Sequence, residues 1–184
     1  MAFVALALGK QTSGTLVYVN TANDAEIVAS LIYDGLEGEE FPEDEELADL
    51  SEFCEKMIHP KFQLVHLVKR GVAFHYGNMP SLLREEIERL FTSGKIRFLV
   101  STSTLIEGVN LACRTIIIRG PKKGVGRVMS PQDFWNLAGR AGCAIRLIPA
   151  TESGSIRPSI PVYCGHRIRL IAASLWTTVI NLSG

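Results

Sequence analysis

The chain has 184 residues, 47% of them hydrophobic and 21% charged, and its formal net charge at pH 7 is zero. This profile excludes a disordered chain and allows one domain with a substantial core, while the balanced charge excludes a uniformly basic nucleic-acid-binding protein. Four widely spaced cysteines predict neither a zinc site nor a disulfide framework. They favour a reduced, intracellular location, which we expect to be cytoplasmic, or nuclear in a eukaryote.

Residues 1–14 form an N-terminal segment that precedes the first predicted strand. Its apolar part, residues 1–8, is too short to span a bilayer. A second apolar stretch, residues 160–182, contains His166, Arg167 and Arg169 and does not fit a transmembrane helix. We therefore expect no membrane partner.

The first predicted strand is the apolar, β-branched run Thr15–Val19. Thr21 or Asn23 can cap the helix that follows, which is predicted from about Asp24 to Tyr33. The residues predicted to form the inner face of this helix are Ile27, Val28, Leu31 and Ile32.

Ten acidic residues and no lysine or arginine lie between Glu37 and Glu55. The segment separates two elements that a compact α/β unit would join more directly, so we interpret residues 35–58 as an acidic insertion. A loop followed by a helix is predicted within it. The apolar residues of that helix are Leu47, Leu50, Phe53, Cys54 and Met57.

The chain then returns to an alternation of strands and helices. Residues 61–68 predict a helical turn, Gly71–His75 predicts a strand, and Pro80–Ser81 suits the start of a helix. The apolar residues that recur there at helical spacing are Leu82, Leu83, Ile87, Leu90 and Phe91. Further strands are predicted at residues 96–100 and 115–118. This alternation predicts an α/β fold, with a parallel sheet flanked by helices.

A run of hydroxyl residues, Ser101–Thr104, directly follows a predicted strand and precedes Gly108 and Asn110. Hydroxyl and backbone N–H groups at such a turn can hold a phosphate of nucleic acid. For the four hydroxyl residues taken alone, an ordinary helix N-cap is the alternative.

A second polar segment, Pro131–Gly142, predicts a helix on which Gln132 and Arg140 lie two turns apart, roughly 12 Å along the axis. Arg140 is a permanently charged, bidentate donor that can reach a γ-phosphate. Taken alone, it would sooner be interpreted as a surface arginine near a helix C-terminus, stabilised by the helix dipole.

These two segments, Phe98–Ala112 and Pro131–Gly142, resemble motifs V and VI of superfamily 2 helicases of the DEAD/DEAH type, ATP-driven motors that move along or separate nucleic-acid strands. Val17–Thr21 resembles motif IV, and Phe74–Ser81 resembles the segment between motifs IV and V. The resemblance covers residues 15–142. It implies a RecA-like α/β fold and the role of the C-terminal lobe of an ATP-dependent nucleic-acid helicase.

The resemblance also implies roles for individual residues. Those expected to bind nucleic acid are Asn20, Thr21, Gly77, Ser101 and Thr102. Those expected to lie near ATP are Gly108, Asn110, Asn136, Gly139 and Arg140. Arg140 is the expected catalytic residue, His75 is expected to be a turn or packing residue, and no metal ligand is identified.

Cys143 stands where the motif VI pattern has a second arginine, the arginine finger of the family. Beyond it, residues 143–184 contain one acidic residue, Glu152, and no lysine. One hypothesis is that the gene was truncated or shifted in frame near codon 143, which leaves an atypical tail. The alternative is a diverged member of the family with its own C-terminal strand. Within the tail we predict a strand near Ile160–Cys164 and a short helix or strand near Ile168–Leu175.

The sequence lacks two features of the first helicase lobe, namely the Gly-x-x-x-x-Gly-Lys-Ser/Thr phosphate loop and the acidic box that holds magnesium. Gly9–Ser13 and Asp44–Leu47 resemble these features in residue type only, because no apolar strand precedes either segment. We therefore expect ATP and Mg²⁺ to be bound mainly by a first lobe, and this chain alone not to hydrolyse ATP. The expected partners are that first lobe and single-stranded RNA or DNA.

Two other classes of function stay open. The chain could be a non-catalytic module that binds nucleic acid or a protein, or it could be an unrelated α/β nucleotide-binding protein. The second class would need a glycine-rich phosphate loop after the first strand, and Asn20–Asp24 is not such a loop.

Overall fold

Five strands form the central sheet of the protein. The computed structural model describes residues 1–9, 14–103, 113–119, 129–130, 132–133 and 177–181. The strands are β1 (Thr15–Tyr18), β2 (Val72–His75), β3 (Phe98–Ser101), β4 (Thr115–Arg119) and β5 (Thr177–Asn181). Their order across the sheet is β2-β3-β1-β4-β5. The first four strands are parallel, and β5 pairs with β4 in the antiparallel direction.

Helices cover the parallel strands. The helices are α1 (Ala2–Gly9), α2 (Ala22–Gly35), α3 (Glu45–Met57), α4 (Leu64–Leu67) and α5 (Ser81–Thr92), and a 3₁₀ turn follows α4 at Val68–Arg70. Every residue of β1, β2 and β3 is buried, as expected for apolar strands covered on both faces. The predicted α/β arrangement with a parallel sheet is therefore confirmed, and the predicted strands lie within about two residues of the observed ones.

The buried face of α2 differs from the predicted one. Ile27 and Leu31 are 50% and 52% exposed, so their assignment to the inner face was wrong. The buried positions are instead Ala25, Ala29 and Ile32, which lie four and then three residues apart. The two alanines allow the helix backbone to approach the sheet closely. This close packing outweighs the burial of the larger side chains and determines which face of the helix lies on the sheet.

A smaller correction applies to α5. Leu82, predicted to belong to the apolar face of this helix, is 71% exposed. The other predicted positions are buried, namely Leu83, Ile87, Leu90 and Phe91. These four residues already form a complete helical stripe, so Leu82 lies outside it and faces solvent.

The first helix, α1, was not predicted. Its sequence is apolar on all sides, and it therefore lacks the periodicity by which an amphipathic helix is identified. Ala5 is buried and Phe3 is 82% exposed. The helix packs on the end of α2, where a Cβ atom added to Gly35 would lie 2.2 Å from a methyl carbon of Leu6.

The acidic segment is joined to the rest of the fold by charge pairs. Asp44 caps α3 by accepting hydrogen bonds from the backbone N–H groups of Glu46 and Leu47 at 3.0 and 3.2 Å. The Lys95 ammonium lies 3.0 Å from Asp44 and 2.8 Å from Glu46. Arg89 of α5 contacts Glu46 as well. These pairs hold the start of α3 against the end of α5.

The C-terminal part of the chain contributes β5, whose residues pair from Thr115↔Asn181 to Arg119↔Thr177. This strand was not predicted, although its Thr-Thr-Val-Ile run carries the β-branched signature of a strand. The elements predicted at residues 160–164 and 168–175 lie outside the described residues. Within the described part of the chain, no helix is long and apolar enough to cross a membrane.

The turn before β2 depends on a glycine. Gly71 has φ 65° and ψ 30°, and its carbonyl accepts hydrogen bonds from the backbone N–H groups of Arg97 and Phe98 at 2.7 and 3.0 Å. A Cβ atom at this position would lie 3.0 Å from the backbone oxygen of Lys95. The left-handed turn therefore connects the start of β2 to the start of β3.

We expect Gly71→Ala to lower the free energy of unfolding by roughly 2 kcal/mol, since it adds a backbone clash to the cost of a left-handed alanine. Gly94→Ala is the matched control, because Gly94 has φ 81° and open space around its missing Cβ. The control should cost only about 1 kcal/mol. Urea unfolding followed by circular dichroism measures both values, and equal losses would contradict the clash.

Candidate functional site

The carboxyl ends of β1, β2 and β3 lie side by side because the three strands are parallel. Ser101 of β3 is in register with Tyr18 of β1 and with His75 of β2. The residues that follow each strand therefore emerge at one edge of the sheet, which we call the carboxyl edge. Ligands of open α/β sheets bind at such an edge. The five residues predicted to bind nucleic acid are thus brought together there: Asn20, Thr21, Gly77, Ser101 and Thr102.

Backbone pairing continues past the ends of these strands. The backbone N–H of Val19 donates to the carbonyl of Ser101 at 2.9 Å. The backbone N–H of Thr102 donates to the carbonyl of His75 at 3.3 Å. Together these bonds hold the three strand ends in fixed relative positions.

The five residues differ in how far they reach solvent. Gly77 is exposed, while Asn20 and Thr21 are half-buried. Ser101 is 1% exposed and Thr102 is 8% exposed. The Ser101 hydroxyl lies 3.2 Å from the Thr102 carbonyl oxygen and 3.5 Å from His75 Nδ1. The outer surface of the carboxyl edge is therefore formed by the residues after β1 and β2, over a buried floor at the end of β3.

Thr21 is the residue that caps α2. Its hydroxyl oxygen accepts a hydrogen bond from the backbone N–H of Asp24 at 3.1 Å and donates one to the Asp24 carboxylate at 2.8 Å. The cap places the N-terminus of a 14-residue helix at the carboxyl edge, where the helix dipole favours an anion. Thr21 thus acts on this edge by positioning the helix end.

A buried histidine supports the floor of the edge. His75 is 2% exposed, and its Nε2 lies 2.8 Å from Oε1 of Glu88 on α5. Burial, together with the positive charge of Arg84, lowers the pKa of His75 to about 4. Burial likewise raises the pKa of Glu88. These partners fit the prediction of a packing role for His75.

The turn that contains Gly77 is attached to α2 through Tyr76. The Tyr76 hydroxyl donates a hydrogen bond to Glu26 at 2.8 Å, and its ring stacks on Phe74 with centroids 5.6 Å apart. Burial and the bond to Glu26 raise the pKa of Tyr76 to about 12. Sequence reasoning missed the contribution of Glu26, because no local pattern links residues 50 positions apart.

The residues expected near ATP lie outside the described part of the chain: Gly108, Asn110, Asn136, Gly139 and Arg140. The start of the segment that carries the last three is described. There, Ser130 accepts a hydrogen bond from the backbone N–H of Asp133 at 3.1 Å and donates one to its carboxylate at 2.9 Å. Burial, and then the charge of Asp133, raises the pKa of Tyr18 to about 12. This segment therefore begins close to the end of β1.

Among the residues that the structure describes, no group of three or more His, Cys, Asp or Glu side chains is arranged to hold a metal ion. The acidic residues at the start of α3 are engaged instead with Lys95 and Arg89.

Comparison with known proteins gives a consistent result. The family described as helicase conserved C-terminal domain matches residues 2–144. The chain is 32% identical to the Hachiman protein HamB of Bacillus cereus over 138 residues, in an alignment that covers 70% of the chain. It is 44% identical to the pre-mRNA-splicing factor brr2 of Schizosaccharomyces pombe over 84 residues, 43% of the chain. It is 40% identical to the DExH-box ATP-dependent RNA helicase DExH12 of Arabidopsis thaliana, also over 84 residues and 43% of the chain.

These relatives are much longer proteins. The matched part of the chain spans 12% of the Bacillus cereus protein and 4% of each of the other two. The chain therefore corresponds to a small portion of each relative.

The buried His75 should make stability depend on pH. Its pKa in the folded state, about 4, lies below the ordinary value of 6.5. As the pH falls from 6.5 towards 4, His75 is protonated in the unfolded chain but stays neutral in the folded chain. The free energy of unfolding therefore falls across that window. Replacing His75 by Gln should remove up to roughly 1.4 kcal/mol per pH unit from the slope of the unfolding free energy.

Urea unfolding at several pH values across that window measures this slope. Gln also offers an N–H donor to Glu88, so the variant keeps the polar contact without the titration. His59→Gln, which replaces an exposed imidazole, is the control for the exchange of histidine for glutamine. An unchanged slope in His75→Gln would show that the imidazole is protonated equally in both states.

Proposed function

Because the chain belongs to the helicase conserved C-terminal domain family and has the RecA-like α/β fold, we propose that it acts as the second lobe of an ATP-dependent superfamily 2 nucleic-acid helicase. In this role it holds the phosphate backbone of one strand and contributes residues that sense ATP. The proposal is supported by one observation. The residues that follow the parallel strands lie at one edge of the sheet, namely Asn20, Thr21, Gly77, Ser101 and Thr102.

The chemistry of the carboxyl edge suits a phosphate backbone. Asn20 offers an amide, and the start of α2 offers the positive end of a helix dipole. Gly77 lies exposed in a turn, where the absence of a side chain lets a phosphate approach the backbone. Contacts of this kind position the strand without reading its sequence. Similarity to a protein named as an ATP-dependent RNA helicase supports single-stranded RNA as the ligand.

The segment that starts at Ser130 carries residues that we propose to contact ATP. Its first residues lie near the end of β1, where the charge of Asp133 contributes to the raised pKa of Tyr18. The side chains that follow, Asn136 and Arg140, are an amide and a guanidinium, both suited to phosphate oxygens. These hydrogen-bond donors suit the phosphates of ATP. When bound, ATP and Mg²⁺ would provide the phosphoryl transfer that drives the motor. Arg140 would then stabilise charge on the γ-phosphate.

We expect the chain alone to show no ATP turnover above background, with or without single-stranded RNA. Its sequence contains no Gly-x-x-x-x-Gly-Lys-Ser/Thr loop, and an isolated ATP-sensing lobe cannot by itself position the nucleotide and its magnesium. A coupled phosphate-release assay measures this. Stimulated turnover that disappears in Arg140→Ala would contradict the assignment of an incomplete catalytic centre.

RNA binding should be weak, sensitive to salt and lowered by negative charge at the carboxyl edge. We expect Asn20→Asp to weaken binding of a fluorescent single-stranded RNA several-fold, because a carboxylate repels phosphate at close range. Fluorescence anisotropy, repeated between roughly 50 and 200 mM salt, measures the affinity and its salt slope.

The matched control for this experiment is Thr92→Asp. It introduces the same charge change at an exposed position in the last residue of α5, where that helix has run back towards the opposite edge of the sheet. The control should bind like the wild type, apart from a small long-range effect that salt removes. Equal losses in both variants would mean that the RNA responds to net charge and not to the carboxyl edge.

A further inference from the structure

A groove runs between the acidic helix α3 and helix α5. It encloses a cavity of about 300 Å³ lined by Asp49, Leu50, Phe53, Leu82, Leu83 and Glu86. Leu50 and Leu83 are buried and form its floor. Phe53 and Leu82 form its walls and are 39% and 71% exposed. The groove therefore has a fixed apolar base and apolar walls that stay in contact with water.

The apolar surface continues along α3 beyond the groove. Met57 lies one helical turn after Phe53 and is 71% exposed. Exposed apolar side chains that cluster around a concavity mark a binding surface, whereas scattered single ones do not. Phe53 and Leu82 line one concavity from two helices, and Met57 follows Phe53 one turn further along α3.

The rim of the groove is negatively charged. Asp49 and Glu86 line the cavity itself, and α3 carries five acidic residues against one basic residue, Lys56. Lys56 contacts Glu52 on its own helix. Arg89 and Lys95 lie beside the start of α3, where both contact Glu46, and Arg89 also contacts Glu86 on the rim. Because the acidic residues of α3 outnumber its one lysine, the α3 side of the apolar floor stays negative, which disfavours the phosphates of nucleic acid.

We propose that the α3–α5 groove binds an amphipathic helix of a partner protein, with leucine-like side chains on one face and lysine or arginine beside them. The apolar floor takes the aliphatic anchors, and the carboxylates of the rim pair with the flanking basic groups. The 13-residue length of α3 corresponds to roughly 20 Å of helix, so a partner helix of about four turns can lie along it. This site is independent of the proposed function, because none of its residues belongs to the carboxyl edge.

The test uses the 184-residue chain and a fluorescein-labelled synthetic peptide of about 16 residues. The peptide has leucine at helical spacings i, i+3, i+4 and i+7 and lysine at most other positions. One control peptide keeps the leucines and replaces lysine by glutamate. A second keeps the lysines and replaces leucine by serine. Fluorescence anisotropy then reports the affinity of each peptide.

Two variants place the binding in the groove. Leu82→Ser removes an exposed wall residue, and Asp49→Lys reverses a rim charge. Because Asp49 and most of the Leu82 side chain face water, both variants should fold, which circular dichroism checks. Leu31→Ser on α2 is the matched control, since Leu31 is also an exposed leucine, at 52%.

We expect the lysine–leucine peptide alone to bind, with an affinity that falls about tenfold in Leu82→Ser and is unchanged in Leu31→Ser. Asp49→Lys should weaken the lysine peptide and strengthen the glutamate peptide. Binding that is equal in all variants, or equal for all three peptides, would overturn the proposal. Sedimentation showing that Leu82→Ser abolishes self-association of the wild type would also overturn it, since a second copy would then be the occupant. Loss of RNA binding in Asn20→Asp leaves this result unaffected.

Discussion

Parallel pairing of β1 with β3, and of β3 with β2, is the constraint on which the rest of this structure depends. It brings three strand ends, far apart in the sequence, to one edge of the sheet. The backbone bonds from Val19 to Ser101 and from Thr102 to His75 extend this pairing into the segments that carry the candidate site. A shift of one residue in either pair would exchange the faces on which those side chains lie.

Side-chain contacts then make the edge stiff at three points. Thr21 sets the start of α2, Tyr76 connects the turn after β2 to that helix, and His75 links the end of β2 to α5. Each contact joins elements that are distant in the chain. The edge is therefore preorganised, so a ligand that binds there would not need to order these side chains.

Sequence patterns predicted the strands and the main helices well, because buried β-branched runs and amphipathic stripes are local signals. They failed where contacts between distant parts of the chain determine which residues are buried. The face of α2 is chosen by Ala25 and Ala29, whose small size permits close packing on the sheet, while Ile27 and Leu31 are left exposed. The uniformly apolar α1 offers no periodicity. In the candidate site, the resemblance to helicase motifs implies which residues follow the strand ends, whereas Glu26 and Glu88 reach these residues only through folding.

The sheet order also has a consequence for the synthesis of the chain on the ribosome. β1 lies in the middle of the sheet, yet its two neighbours begin 83 and 100 residues later, since Thr15 pairs with Phe98 and Thr115. At translation rates of about 5–20 residues per second, this apolar strand waits several seconds before either neighbour emerges. During that interval its unpaired edges can join another nascent chain. Chaperone capture of the first half of the chain should therefore govern the yield of folded protein.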